Sequence, residues 1–196
     1  MIRLRRVLSA VASALRIASF AFLVPVPIAL LYETHDVPLV AGIELPATVA
    51  AFLSSFLLTT FVWVPLRLAT RSVQEDDLLD REGYLAVGLG WLAVTVLAMF
   101  PFLFSGELGD PVSAFFEAMA ALTGTSSTGL VDLDSVPASI VFFRALLPWL
   151  GGLAIIVLLV ALLSRLTHGG MPAMQGTGLS GGPRLKPKLA EAARSL

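Results

Sequence analysis

The sequence predicts an all-α integral membrane protein: an N-terminal two-helix hairpin, then one helix/pore-loop/helix repeat with a re-entrant half-helix. Three observations predict it. Hydrophobic residues make up 57% of the 196 and charged residues only 14%, with a mean hydropathy of +0.88, well outside the range of soluble domains. The apolar residues gather into four blocks of spanning length, since roughly 20 residues at about 1.5 Å rise cross about 30 Å of hydrocarbon. Between the third and fourth blocks lies a shorter apolar stretch, DPVSAFFEAMAAL, that runs into the Thr, Gly and Ser of TGTSSTGL. The lack of cysteine excludes disulfides and thiolate metal sites, and a net charge of -1 carries no signal of a nucleic-acid partner.

The first block runs from about Val7 to Tyr32 and is interrupted by Arg16 and by the pair Pro25 and Pro27. Its basic start and apolar centre also fit a cleaved signal peptide. A retained helix with a cytoplasmic N-terminus is favoured, because the apolar stretch is long and Arg16 breaks it. The second block, Ala47 to Leu66, is uncharged, opens after Pro46 and ends at Arg67. Tyr84 to Phe104 is entered from QEDDLLDRE and left at SGELGD. Ala145 to Ser164 is preceded by Arg144 and closed by Arg165. These blocks divide the chain into a hairpin at 1–79, a repeat at 80–166 and a cytoplasmic linker at 167–196 ending in the short helix LKPKLAEAARSL. The linker leads toward a second repeat that the sequence does not contain.

Charge placement assigns a topology. Arg3, Arg5 and Arg6 precede the first block, Arg67, Arg71 and Arg81 lie between the second and third, and Arg165, Arg184, Lys186, Lys188 and Arg194 follow the fourth. If four blocks cross and residues 111–122 do not, all of these fall on one side, the positive-inside pattern of a multi-pass plasma-membrane protein with both termini cytoplasmic. Only Arg144, at the outer end of the fourth block, stands against it. Residues 111–122 therefore enter the membrane and return on the same face. Asp110 before Pro111 is a strong helix start, so the half-helix points its negative C-terminal end inward. The residues after it are non-helical backbone, tolerated at that depth only inside protein or beside a water-filled cavity. A half-helix dipole facing such a cavity, leading into a loop of carbonyl and hydroxyl oxygens, is the arrangement of a cation filter.

FFEAMAALTGTSS, DLDSVPASIVFFRALLPWLGGLAIIVL and LKPKLAEAARSL resemble the first pore repeat of the TrkH-type potassium uptake proteins, in the superfamily that also holds KtrB and the plant HKT transporters. The resemblance covers about residues 80 to 196 well, and the two preceding helices look like the family's extra N-terminal hairpin. It implies a pore of four such repeats, with potassium or sodium as the transported ion. It also implies a cytosolic nucleotide-binding regulatory partner, TrkA-like, beside the remaining pore repeats and the lipid membrane. No other cofactor, metal or nucleic acid is implied. The family's filter usually reads like TTTGAT; laid without gaps, Thr123, Gly124, Thr125 and Ser126 stand there, with Ser126 at the glycine position. A three-residue shift instead brings Ser127, Thr128 and Gly129 into place but needs compensating gaps. Among plant relatives a Ser at the first-loop position goes with sodium permeation. One chain supplies one repeat, so it is a partial chain, a split subunit or a protomer of a tetramer, with the first favoured.

Other residues keep two readings. Glu117 either lines the vestibule and attracts cations or is held by neighbouring backbone. Arg144 either tunes pore electrostatics or pairs with Glu117, Asp132 or Asp134. Asp132 and Asp134 suit a cation-concentrating mouth. Gly151 and Gly152, like Gly88 and Gly90, suit close helix packing, the latter pair against the half-helix. An enzyme is not expected: His35 and His168 fall on opposite faces, and Ser126 and Ser127 lack a nearby base. A non-conducting membrane scaffold or regulatory subunit is the rival class, with no reason to keep a capped half-helix before an oxygen-rich loop.

Overall fold

Prolines divide the first apolar block into two helices. α1 (Leu4–Ala21) gives way to a tight turn, with the amides of Phe22, Leu23 and Val24 donating to carbonyls three residues back. Pro25 and Pro27 have no N–H to return to the ladder, and α2 (Val26–Tyr32) starts with a proline in its first turn. The computed structural model describes residues 3–33, 39–40, 43–44, 46–72, 80–125, 127–130 and 132–169.

β1 (Leu39–Val40) and β2 (Ile43–Glu44) form a minimal antiparallel ladder, pairing Leu39 with Glu44 and Val40 with Ile43. α3 (Ala47–Thr70) begins after Pro46, carries Pro65 within it and runs past the expected end at Leu66. α4 (Asp80–Ala98) stops at Met99, two residues before Pro101, and α5 (Phe100–Phe104) completes the same apolar stretch. The half-helix α6 (Pro111–Leu122) has the bounds expected from the sequence. α7 (Ala138–Gly169) starts seven residues earlier than the expected Ala145, so Arg144 lies inside it and not before it. Neutralisation explains this: an arginine that meets a carboxylate within the protein need not end an apolar helix. Leu4–Tyr32, Ala47–Thr70, Arg81–Phe104 and Ala138–Leu159 are each long and apolar enough to cross a membrane, and α6 is not. The chain divides into a compact unit, Met1–Ile155, and a second unit, Ile156–Leu196. The contacts that build the core and the site lie within the first unit. The expected linker helix lies outside the described residues.

Helix ends meet in two polar clusters. At one, the backbone amide of Arg3 donates to Glu82 Oε1 at 2.7 Å, joining the start of α1 to the start of α4. Arg67 near the end of α3 donates to Ser9 Oγ at 2.7 Å. At the other cluster Glu33, just past α2, accepts from the Ser139 amide at 2.7 Å and from the Thr48 hydroxyl. Glu107, just past α5, feels the charge of Glu33. The ends of α2 and α5 and the starts of α3 and α7 therefore share one end of the bundle. The chain between α5 and α7 leaves that end and returns to it, which makes α6 re-entrant.

The core between these clusters is aromatic. Phe143 of α7 is fully buried, with ring centroids 5.6 Å from Phe22, 5.5 Å from Phe52 and 5.6 Å from Phe102. One α7 side chain thus touches the first, second and third spans, and aromatic pairs at these separations contribute beyond their buried area. Buried hydroxyls of Ser55, Thr70 and Thr95 bond the carbonyl one turn back, at 2.7, 2.8 and 2.9 Å. That satisfies them within their own helices, and the Thr95 hydroxyl also approaches Met119 Sδ of α6 at 3.7 Å. Gly90 faces Ala14 of α1 at 3.9 Å and Gly88 faces open space, so neither packs on α6 as expected.

Candidate pore-loop site

The site is built on both ends of α6. At its start, Asp110 Oδ1 accepts from the amides of Val112 at 2.9 Å and Ser113 at 3.0 Å, and Pro111 takes the first helical position. The Ser113 hydroxyl and amide, with the Val112 amide, hold the Asp110 carboxyl below the usual carboxylate range. Nearby, burial and then the charge of Glu33 push the Glu107 carboxyl above its ordinary value.

At its end the helix closes in a Schellman motif. Gly124 adopts φ +69°, and its amide donates to the Ala121 carbonyl while the Thr125 amide reaches the Ala120 carbonyl, both at 3.0 Å. Glycine takes this left-handed conformation without a Cβ penalty. The hydroxyls turn back as well, Thr123 to the Met119 carbonyl at 2.7 Å and Thr125 to the Ala120 carbonyl at 3.2 Å. The chain thus leaves the helix at Thr123–Thr125 with its side-chain oxygens already engaged and these residues exposed. Leu122 is different: a Cβ added at Gly151 would lie 1.9 Å from its carbonyl oxygen. Only a glycine lets α7 sit so close to the end of the half-helix. Gly151 is thirteen residues beyond Ala138 and so about 20 Å along α7. The C-terminal end of α6 therefore lies deep in the bundle.

Glu117 holds the returning segment. Its carboxylate is fully buried and accepts from the Gly129 amide at 2.7 Å and from the Thr128 hydroxyl at 3.1 Å. It also accepts from Arg144 Nε at 2.5 Å, and Arg144 Nη2 reaches the Ser127 carbonyl at 3.4 Å. The Thr128 hydroxyl in turn accepts from the Leu130 amide at 3.1 Å. A charged carboxylate with a guanidinium and two further donors is well satisfied at low dielectric. This geometry ties Glu117 to the backbone of the returning segment and to Arg144. Arg144 meets Glu117, while Asp132 accepts from the Asp134 amide at 3.2 Å in an exposed turn. Gly152 meets nothing within 4 Å. Among the described residues no group of three or more His, Asp or Glu could hold a metal ion. Ser126 and His35 lie outside the described residues, as does the side chain of His168.

The family described as TrkH, a cation transport protein, matches residues 46–177. The chain belongs to this TrkH family. The Trk system potassium uptake protein TrkH of Escherichia coli K12 is 36% identical over 148 residues, covering 74% of this chain and 30% of that protein. TrkH of Vibrio parahaemolyticus is 33% identical over 199 residues, covering 98% of this chain and 38% of its own length. The crystal structure of the potassium transporter TrkH from Vibrio parahaemolyticus matches with a TM-score of 0.71 and 30% identity, over 98% of this chain and 36% of that one. The chain thus spans about a third of the length of these TrkH relatives. Apart from the two-residue strands β1 and β2, its architecture is helical, and this multi-pass membrane fold is that of the TrkH family.

Sequence reasoning missed two parts of this site. The Schellman closure was signalled by Gly124 one residue past Thr123, which ends the apolar run, a position where glycine commonly stops a helix. The Glu33 contact to Ser139 joins residues 106 apart and has no local signature.

Proposed function

We propose that this chain supplies one of four pore-loop repeats of a potassium-conducting pore, with the backbone carbonyls of Thr123, Gly124, Thr125 and Ser126 as ion ligands. The re-entrant course of α6 is the observation that carries this reading. It delivers a helix C-terminus, with its partial negative charge, and a non-helical segment to the interior of the bundle. The Thr123 and Thr125 hydroxyls donate to carbonyls of α6, which turns both side chains back onto the helix. Oxygen ligands without fixed charge suit a monovalent ion that must bind and leave. The alternative register at Ser127, Thr128 and Gly129 fits less well, because the Ser127 carbonyl faces the Arg144 guanidinium and the Thr128 hydroxyl and Gly129 amide are held by Glu117. Potassium is the cargo named for the relatives.

The rest of the assembly accords with the same reading. Residues 80–166 form one repeat after a hairpin at 1–79, and three further repeats complete the ring. The distribution of basic residues supports cytoplasmic termini, where a TrkA-like nucleotide-binding subunit would dock. Ser126 at the glycine position favours a second reading of the same pore, permeable to sodium. The complete assembly, reconstituted in vesicles, is assayed for rubidium and sodium uptake before and after Ser126→Gly. A shift toward rubidium supports both the register and the sodium reading, and no change in either permeability removes Ser126 from the filter.

A further inference from the structure

We infer that Glu33, on the N-terminal hairpin and outside the repeat that carries the pore loop, is a positioning residue for that loop. The inference rests on the pore reading for its consequence and on geometry for its cause. Glu33 Oε1 accepts from the Ser139 amide at 2.7 Å, in the first turn of α7, where four amides have no partner within the helix. Its second oxygen accepts from the hydroxyl of Thr48, in the first turn of α3. One carboxylate thus caps α7 and ties it to the start of α3, with the favourable sign for a negative group at helix N-termini.

Four residues beyond Ser139, Phe143 is gripped by Phe22, Phe52 and Phe102. These two attachments, one turn apart on α7, fix its rotation and its height against the first two spans. Arg144 is the next residue, about 9 Å from the start of α7, and it carries that register to Glu117 at 2.5 Å. Glu117 then holds the Gly129 amide and the Thr128 hydroxyl. The path from hairpin to loop is therefore a series of short polar contacts on a helix whose setting is fixed outside the repeat. Sliding or rotation of α7 at its start moves the guanidinium, and with it the carboxylate that anchors residues 128–129. Among the described residues Glu107 is a charged group that faces Glu33, and the two carboxylates repel each other.

The test compares Glu33→Ala with Glu33→Gln, which keeps an oxygen for the Ser139 amide, in lipid nanodiscs. Hydrogen exchange across residues 127–130 reads the clamp without any transport. Exchange at Gly129 is expected to rise about fivefold in Glu33→Ala, the size expected from losing one capping contact. It should rise much less in Glu33→Gln, with α1 and α4 unchanged in both. Unchanged Gly129 exchange in Glu33→Ala overturns the inference, as does an equal rise in α1 and α4, which marks general loosening. In the complete assembly, the rubidium-to-sodium permeability ratio should fall about fivefold in Glu33→Ala and be largely kept in Glu33→Gln. A parent assembly that conducts neither ion refutes the pore reading alone, since the exchange result stands without it. A conducting assembly whose ratio Glu33→Ala leaves unchanged overturns the positioning role.

Discussion

Replacing Gly151 by alanine should push α7 off the end of the half-helix. The added Cβ would stand 1.9 Å from the Leu122 carbonyl oxygen and 3.0 Å from its carbon, where ordinary contact begins at 3.4 Å. The two backbones must therefore part by about 1.5 Å, and neither is a flexible side chain that can swing aside. Overpacking of this kind costs about 1–3 kcal/mol. For a chain of this size, 2 kcal/mol lowers the midpoint of thermal unfolding by roughly 4–8 °C. The neighbouring Gly152→Ala is the control: nothing lies within 4 Å of its added Cβ. Removing a helical glycine there should be neutral or stabilise by about 0.4–1 kcal/mol. Thermal unfolding of the two variants in nanodiscs, with rubidium uptake by the complete assembly, gives the comparison. Gly151→Ala is expected to melt lower and conduct less, and Gly152→Ala to match the parent. Equal melting of the two variants would refute the contact between α7 and Leu122 as the reason for glycine at 151.

Glu117→Ala strands the Arg144 charge and frees the Gly129 amide, a loss of about 3 kcal/mol, the low end for a broken buried pair because Arg144 keeps partial exposure. In a double-mutant cycle with Arg144→Ala the two losses should fall well short of additive, and strict additivity would deny the pair. Asp110→Ala should destabilise α6 while Asp110→Asn keeps most of the cap, measured by hydrogen exchange at Val112 and Ser113. Because the folded state lowers the Asp110 pKa, the stability it adds is present above its unfolded value near 3.8 and is lost as the pH falls below it. Glu107 has the opposite sign: its pKa is raised from 4.5, so its contribution is fully present below that value and is lost as the pH rises through the folded pKa. Glu107→Gln should raise the thermal midpoint at pH 7 and leave it unchanged at pH 4.

The residues announced what was local. Asp110 and Pro111 start a helix by capping chemistry alone, and the oxygen-rich TGTSS ends it, so α6 was legible to the residue. Pro25 and Pro27 likewise announced the break between α1 and α2. The start of α7 was not legible, because Arg144 reads as a boundary until its partner is known to sit 27 residues earlier in the chain on α6. The same limit explains Gly90, whose neighbour is Ala14 on α1; a small residue in a span says that something comes close, but not what. Glu33 reads as a loop residue at the end of an apolar block. Its role emerges only when three helix ends are brought together.

The aromatic contact at Phe143 also bears on the order in which the molecule is made. Phe22, Phe52 and Phe102 emerge from the ribosome before the ring that joins them, so the first three spans can enter the membrane while their shared centre is still empty. Domains fold from the N-terminus as synthesis proceeds, and here the fourth span delivers the piece that locks the three before it. A nascent chain halted before Phe143 should therefore hold its spans loosely, and quality-control proteases should cut it more readily than one that has passed that residue.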